Sequence, residues 1–559
     1  MIKNIKKYDI LFGVLFMITL SFLVFKSKYG YIYNDEPYLL SLGYRFALGD
    51  AMLVDDWSIG QLSGFLIYPF IKVFTILKGD TNRIVLFGRY CFILLWSISV
   101  IYSYICLRKY KHWAAISLMS FYLFAPLDMM TLSYNSFALM ALLCLTSTII
   151  CAKNEKYYIL VGLFLAVAVL GNPFIIFVYL LFSILALVNV KINKIFLPNK
   201  ISIDKAWIYL TIGSFILFIL FVGFILSRAS ISTIFSSIKL IFSTNTEHSV
   251  FTLFKLITKY YKEIDSRFNY ILIYYPIILL IILLDKGRYK RKPVYLLLSV
   301  VLLYYSFKSV IDNVEVYPNI HLAIIPLIVV GVTSFILTSK KDYDIFINFI
   351  LMGILYSFLF HQSSNLGLPA IGFSYSIITV GSILLIGNLV DELGIENIST
   401  YILLTSILMQ FHYQGLLRYD RYYLDGTMDE LVHKIEVGPA KGIITNETDC
   451  GMYSWQYEQL QMILYDATSD DIFYYPYSNP WYYLAANMQI GTYSTWGSWG
   501  DPIKTHKINE EYFKLKPNKY PTYVLLSKKN KIQLTEFINE LIDKGYEKRE
   551  TDDFILYLK

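Results

Sequence analysis

Residues Asn34, Asp35, Glu36 and Pro37 set two adjacent carboxylates directly after the first strongly apolar segment of the chain. A carboxylate close to water but partly desolvated has its pKa raised and can act as a general base on a hydroxyl. The same pair also suits a helix start, where an anion is favoured by about 0.3–1 kcal/mol. A further acid, Asp128, lies in the short connection Pro126-Leu127-Asp128-Met129 and is expected on the same side, as a partner for charge or acceptor placement. Asp55 and Asp56, in the loop that follows, read as a solvated pair or at most weak substrate contacts. Cations that could clamp a phosphate are Lys72, Lys78, Arg83 and Arg89 near this loop, with Lys308 at the end of a later apolar segment. Arg89 lies inside an apolar segment, where an unpaired charge costs about 2.5–3.5 kcal/mol, so it requires a partner. His321 and His361 flank the ends of two later segments and could hold a phosphate or a sugar.

These residues are carried by a chain of 559 residues that is 56% hydrophobic, 17% aromatic and only 16% charged, which indicates a polytopic α-helical membrane protein. Thirteen apolar segments recur: 8–25, 84–107, 113–126, 135–152, 157–171, 174–190, 207–226, 269–285, 293–309, 321–338, 345–360, 371–390 and 398–412. Residues 61–77 are also apolar, but they carry Pro69 and Lys72 and read as an interfacial helix. With thirteen spans, Lys3, Lys6 and Lys7, Arg108 to Lys111, Lys286 to Lys292, and Lys340 with Lys341 share one face. The positive-inside rule makes that face cytoplasmic. The N-terminus is then cytoplasmic and the long loops 26–83 and 227–268 are outside. No Ala-x-Ala-like site follows Phe25, so the first segment is expected to be a retained span.

Residues 1–412 thus form a membrane domain, with 26–83 as a first outer loop containing a surface helix that begins near Pro37 and stops at Gly49. Residues 413–559 alternate strand and helix patterns and predict a small extracytoplasmic α/β domain. Strands are expected at 442–445, 471–475, 522–526 and 554–558, and helices at 453–466, 482–487 and 532–544.

Several function classes lack their signatures. The net charge of +7 resides between spans, which argues for topology and against nucleic acid. There is no Walker-type loop, no Gly-x-Gly-x-x-Gly, no Gly-x-Ser-x-Gly and no Cys/His metal spacing. No cofactor is called for by any motif, and a divalent cation (Mg or Mn) is the one candidate. Cys450 is the single cysteine of the outer segment, so no internal disulfide forms there.

The chain resembles the GT-C membrane glycosyltransferases, notably the protein O-mannosyltransferases and the lipid A aminoarabinose transferases. The residues that carry this are Tyr33-Asn34-Asp35-Glu36-Pro37-Tyr38 after the first span, then Leu48-Gly49-Asp50 and the interfacial segment. Gly162-Leu163 with Val169-Leu170-Gly171-Asn172-Pro173, and the Pro326 segment, complete them. The resemblance implies that Asp35 or Glu36 is the catalytic acid group and that a sugar on polyprenyl phosphate is the donor. Outer Lys and Arg would bind that phosphate, and transfer would proceed with inversion to an envelope glycan, lipid or protein. Asn172 and Ile320-His321 stand where relatives often carry basic residues. The other readings are a flippase or transporter of lipid-linked oligosaccharide, which would need broken helices or midplane charges, and a polysaccharide polymerase.

Overall fold

The computed structural model describes residues 5–58, 60–188, 201–244, 253–312, 327–364, 366–422, 425–498, 501–529 and 534–559. Among them, six helices are long and apolar enough to cross a membrane: Lys7–Lys26, Ile84–Tyr110, Tyr134–Cys151, Ile203–Leu226, Tyr343–Gln362 and Leu368–Leu393. A bent pair, Phe254–Ser266 and Phe268–Leu284, turns by 102° and would make a seventh. Fewer spans therefore pass than the thirteen apolar segments in the sequence. Segment 113–126 shortens to His112–Tyr122, ahead of Pro126, which disfavours helix in the residue before it, and segment 157–171 forms Tyr158–Gly171, ending at Asn172-Pro173 as expected. Segment 321–338 enters the described residues only as Leu327–Leu337.

Helix Leu368–Leu393 is buried along its whole apolar window and is the hub of the bundle. The windows of Lys7–Lys26 and Ile203–Leu226 are only 17% buried, which turns these two outward. Tyr158–Gly171 and Ile203–Leu226 cross at Gly162 and Gly213. A Cβ at either glycine would lie 2.0 Å from a carbonyl oxygen of the other helix, so the close backbone approach depends on both.

Four N-terminal elements position the acids: α1 (Lys7–Lys26), α2 (Asp35–Ala47), α3 (Gln61–Lys78) and α4 (Ile84–Leu107). Helix α2 begins at Asp35, so Pro37 falls inside the first turn, where its missing N–H costs nothing. The expected surface helix with one wet face is instead buried nearly all round, from Leu39 through Ala47. One side meets α3, where a Cβ on Gly43 would strike Ile67 and Ile71. The other is covered by the C-terminal segment.

That segment carries a five-stranded sheet in the order Gln489–Ile490, Ile472–Tyr474, Tyr523–Ser527, Phe554–Leu558, Glu547–Glu550. The first three strands are parallel, and Phe554–Leu558 runs antiparallel to both of its neighbours. Helices Glu447–Ile463, Trp481–Ala486, Pro502–Leu515 and Thr535–Asp543 accompany it. The strand expected at 442–445 contracts to Ile444–Thr445 and leaves the sheet. It pairs with His433–Lys434 and bridges to Tyr29, where Gly30 N–H donates to the Ile444 carbonyl at 2.7 Å. The chain directly after α1 is thereby tied to the C-terminal segment.

Candidate active site

The two carboxylates that open α2 have different fates. Successive residues of a helix point about 100° apart, so neighbours face different surroundings. Glu36 points inward and is fully buried. Arg89 Nε donates to its Oε1 at 2.8 Å and Nη2 to its Oε2 at 2.5 Å, a bidentate pair across α2 and α4. Arg89 Nη1 also donates to the Ser27 and Tyr29 carbonyls, at 2.8 and 3.0 Å, and Nη2 to the Gly30 carbonyl at 2.7 Å. All five guanidinium N–H groups are thus spent. The partner that Arg89 requires is Glu36, and no N–H is left for a phosphate, which removes Arg89 from the expected phosphate contacts.

Tyr422 completes this pocket, with its ring centroid 4.9 Å from the Arg89 guanidinium carbon. Burial pushes its phenol well above the ordinary range. Gly30 sits at φ +74°, and a Cβ there would lie 2.0 Å from the Tyr422 ring, so only glycine fits. Asp35 stands beside this locked pair in the first turn of α2 and is half-buried.

Asp128 is buried and forms an ion pair with Arg418, itself fully buried in the last turn of Ile398–Asp420. Leu127 and Asp128 both adopt left-handed backbone at φ +56° to make the turn. The acid expected to assist Asp35 is therefore neutralised by an arginine. Nothing in the sequence singles out Arg418 except its place after a long apolar helix.

Asp55 and Asp56 are not a solvated loop pair. They are 3% and 0% exposed, inside a charge cluster at the far end of α2. Arg45 Nη1 donates to Asp56 at 2.6 Å and its Nε to Asp50 at 3.0 Å. Its Nη2 reaches the Asp55 and Thr492 carbonyls. Lys519 Nζ pairs with Asp50 at 2.5 Å and Lys516 Nζ with Asp55 at 3.2 Å. Burial raises the Asp50 pKa against the opposing pull of Arg45 and Lys519. Three carboxylates meet three cations here, two of them from the C-terminal segment.

Of the remaining cations, Lys72 Nζ donates to the Ala47 carbonyl at 2.9 Å and so closes the C-terminal end of α2. Lys78, Arg83 and Lys308 are exposed. His321 lies outside the described residues. His361 is fully buried in helix Tyr343–Gln362, and neither ring nitrogen meets the geometry of a hydrogen bond. Next to it, Asn172 Nδ2 donates to Ser363 Oγ at 2.8 Å, which fixes the break after α-helix Tyr158–Gly171 against the following span. Arg228, from the loop 227–268, donates to the Phe46 and Asp50 carbonyls at 2.7 and 2.8 Å and is a further cation that the sequence does not single out.

Among the described residues, the one convergence of metal-ligating side chains is His506, Glu510 and Glu540, whose ligand atoms lie within 4.8 Å of one another. Lys544 Nζ already occupies Glu540 at 2.5 Å. Glu36, Asp50, Asp55 and Asp56 of the first loop instead meet arginine and lysine.

No family model matches the chain, and no curated protein matches it. Solved structures align over nearly its whole length. The oligosaccharyltransferase AglB from Archaeoglobus fulgidus, in complex with an inhibitory peptide and a dolichol-phosphate, is 10% identical at a TM-score of 0.45, over 93% of this chain and 70% of that one. ArnT from Cupriavidus metallidurans aligns in the apo state at 11% identity and TM-score 0.42, covering 98% and 97% of the two chains. Bound to undecaprenyl phosphate it gives 9%, 0.42, and 99% and 98%. Both belong to the GT-C group of membrane glycosyltransferases that the sequence resembles. At these TM-scores the likeness is one of chain path, and the functional reading rests on the side chains.

Proposed function

We propose that the chain is an integral-membrane glycosyltransferase that moves a sugar from a polyprenyl-phosphate donor to a hydroxyl of an extracytoplasmic glycan, lipid or protein. The observation that carries this is the division of labour at the start of α2. Glu36 is locked by Arg89 and fixes the backbone, while Asp35 next to it is half-buried in the same first turn. In this reading Asp35 is the base. The acceptor O–H proton passes to its carboxylate, the acceptor oxygen bonds to the sugar C1, and the C1–O bond to phosphate breaks with inversion, releasing polyprenyl phosphate. Glu36 and Arg89 are positioning residues. The donor phosphate is assigned to the exposed cations Lys78, Arg83 and Lys308, and His361 to a substrate contact.

The topology belongs to the same proposal: the N-terminus is cytoplasmic and residues 413–559 are outside, which puts Asp35 and the C-terminal segment in the compartment of a flipped lipid-linked donor. The test is transfer by the purified chain in liposomes. Radiolabelled sugar should reach an envelope-derived acceptor from polyprenyl-phosphate-sugar and not from a nucleotide sugar. Movement of the intact lipid-linked sugar across the bilayer without transfer would contradict the reading and make the protein a flippase.

A further inference from the structure

The C-terminal segment follows one face of α2 in register. Arg45 Nη2 meets the Thr492 carbonyl at 2.9 Å, Ser41 Oγ meets Thr495 Oγ1 at 2.6 Å, and the rings of Tyr38 and Trp496 lie 5.0 Å apart. Positions 45, 41 and 38 recede by four and three, which is one face of a helix, while the partners advance through 492, 495 and 496. Asn34, the N-cap, continues that face, and Asp35 stands at its edge as the helical neighbour three residues before Tyr38, with about 5–6 Å between such Cβ atoms. The seam changes character as it approaches that end. Arg45, Ser41, Thr492 and Thr495 are at most 1% exposed, whereas Tyr38 and Trp496 are half-buried. A third half-buried ring, Tyr134, closes the group. A Cβ on Gly60 would lie 3.0 Å from Tyr38 Oη and 3.6 Å from Tyr134 Cδ1, so Gly60 keeps the two rings together.

Three partly open aromatic rings beside a carboxylate have a specific chemical complement. A pyranose ring presents one face of C–H bonds, which packs on an aromatic face, and an edge of hydroxyls, which needs an acceptor or a base. We propose that Trp496, with Tyr38 and Tyr134, is a pyranose-binding platform that holds a sugar ring with its hydroxyl edge toward Asp35. This rests on the reading of Asp35 as the base, and it makes the C-terminal segment part of the substrate site. The ring is that of the donor sugar or that of a glycan acceptor, and kinetics separate the two.

The probes are methyl glucopyranoside, methyl mannopyranoside and methyl galactopyranoside, titrated into the full-length chain in detergent and followed by saturation transfer to the sugar protons. At least one should bind through the C–H protons of a single ring face. Trp496→Phe, which keeps a π face, should retain binding, and Trp496→Leu, which keeps apolar volume without one, should weaken it about tenfold. A wild-type chain that binds none of the three, or a Trp496→Leu chain that binds as wild type, overturns the platform. In transfer assays, Trp496→Leu should raise KM for the polyprenyl-phosphate-sugar alone if the ring is the donor's, and for the acceptor alone if it is the acceptor's. If neither KM moves, the platform fails. Asp35→Asn separates the two claims: full transfer with Asp35→Asn and lost glycoside binding with Trp496→Leu would discard the base and keep the platform. The reverse pattern would discard the platform and keep the base.

Discussion

The two ends of α2 hold acids in opposite ways. At its C-terminal end, Asp50, Asp55 and Asp56 are buried against Arg45, Lys516 and Lys519, so every carboxylate meets a cation and the group ties the first loop to a segment more than 400 residues away. At the N-terminal end Glu36 is treated this way, by Arg89, whereas Asp35, one residue before it, is half-buried. Neutralised burial builds a scaffold, because removing one partner strands a charge. A carboxylate kept close to water beside such a scaffold can exchange a proton. The difference teaches that an acid's neighbours, rather than its place in the first loop, decide its role.

The sharpest way to break this comparison is to remove one acid from each end. Asp35→Asn should lower transfer by about 10²–10⁴ with an unchanged melting temperature. Asp56→Asn should act on melting first, because it leaves Arg45 buried and short of a partner. Equal effects on transfer and melting at both ends would erase the distinction.

Arg89→Leu strands Glu36 in a buried site and should destabilise the folded chain by about 3–5 kcal/mol, read as a lower melting temperature in detergent. Glu36→Gln with Arg89→Leu should recover much of that loss, since an apolar and a neutral side chain no longer strand a charge. Little or no loss from Arg89→Leu would mean the pair is not a scaffold.

A smaller effect is expected where the C-terminal segment docks. Lys519→Met removes one of two cations from Asp50 and should cost about 1.5–3 kcal/mol, seen as faster hydrogen exchange in 487–498 and in α2 together. Exchange that rises in one and not the other would show that the two are not coupled.

The remaining effect is one of pH rather than of substitution, and is expected at His506. Burial lowers its pKa to about 4 from the usual 6.5. The unfolded chain then binds more protons between those values, so stability contributed by the neutral ring is complete above pH 6.5 and is lost as pH falls toward 4, by up to about 1.4 kcal/mol per unit. Hydrogen exchange along Pro502–Leu515 should accelerate over that window, and His506→Phe should flatten the response.

Much of the fold is legible in the chain, and the reasons are local. Phe554–Leu558 is an apolar run between turn residues and forms the strand expected there, and Asn172-Pro173 ends a helix as its chemistry dictates. The need of Arg89 for a partner follows from its apolar surroundings. What could not be read are pairings that depend on distance through the fold. Asp55-Asp56 resembles any acidic loop pair until Lys516 arrives at Asp55 from the other end of the chain and Arg45 reaches Asp56, and Asp128 looks solvated until Arg418 reaches it. Helix α2 shows a one-sided apolar pattern, and only the docking of 487–496 explains why its polar side, Ser41 and Arg45, is buried as well.

The central claim is that Asp35, and not Glu36, exchanges the acceptor proton. The most direct measurement is the pH profile of kcat for transfer from polyprenyl-phosphate-sugar, taken on wild type, Asp35→Asn and Glu36→Gln under conditions where all three remain folded. The account predicts an acid limb in wild type that falls with a slope of one proton, persists in Glu36→Gln at reduced rate, and is absent from the residual activity of Asp35→Asn. An acid limb that survives in Asp35→Asn, or that vanishes in Glu36→Gln, would contradict it.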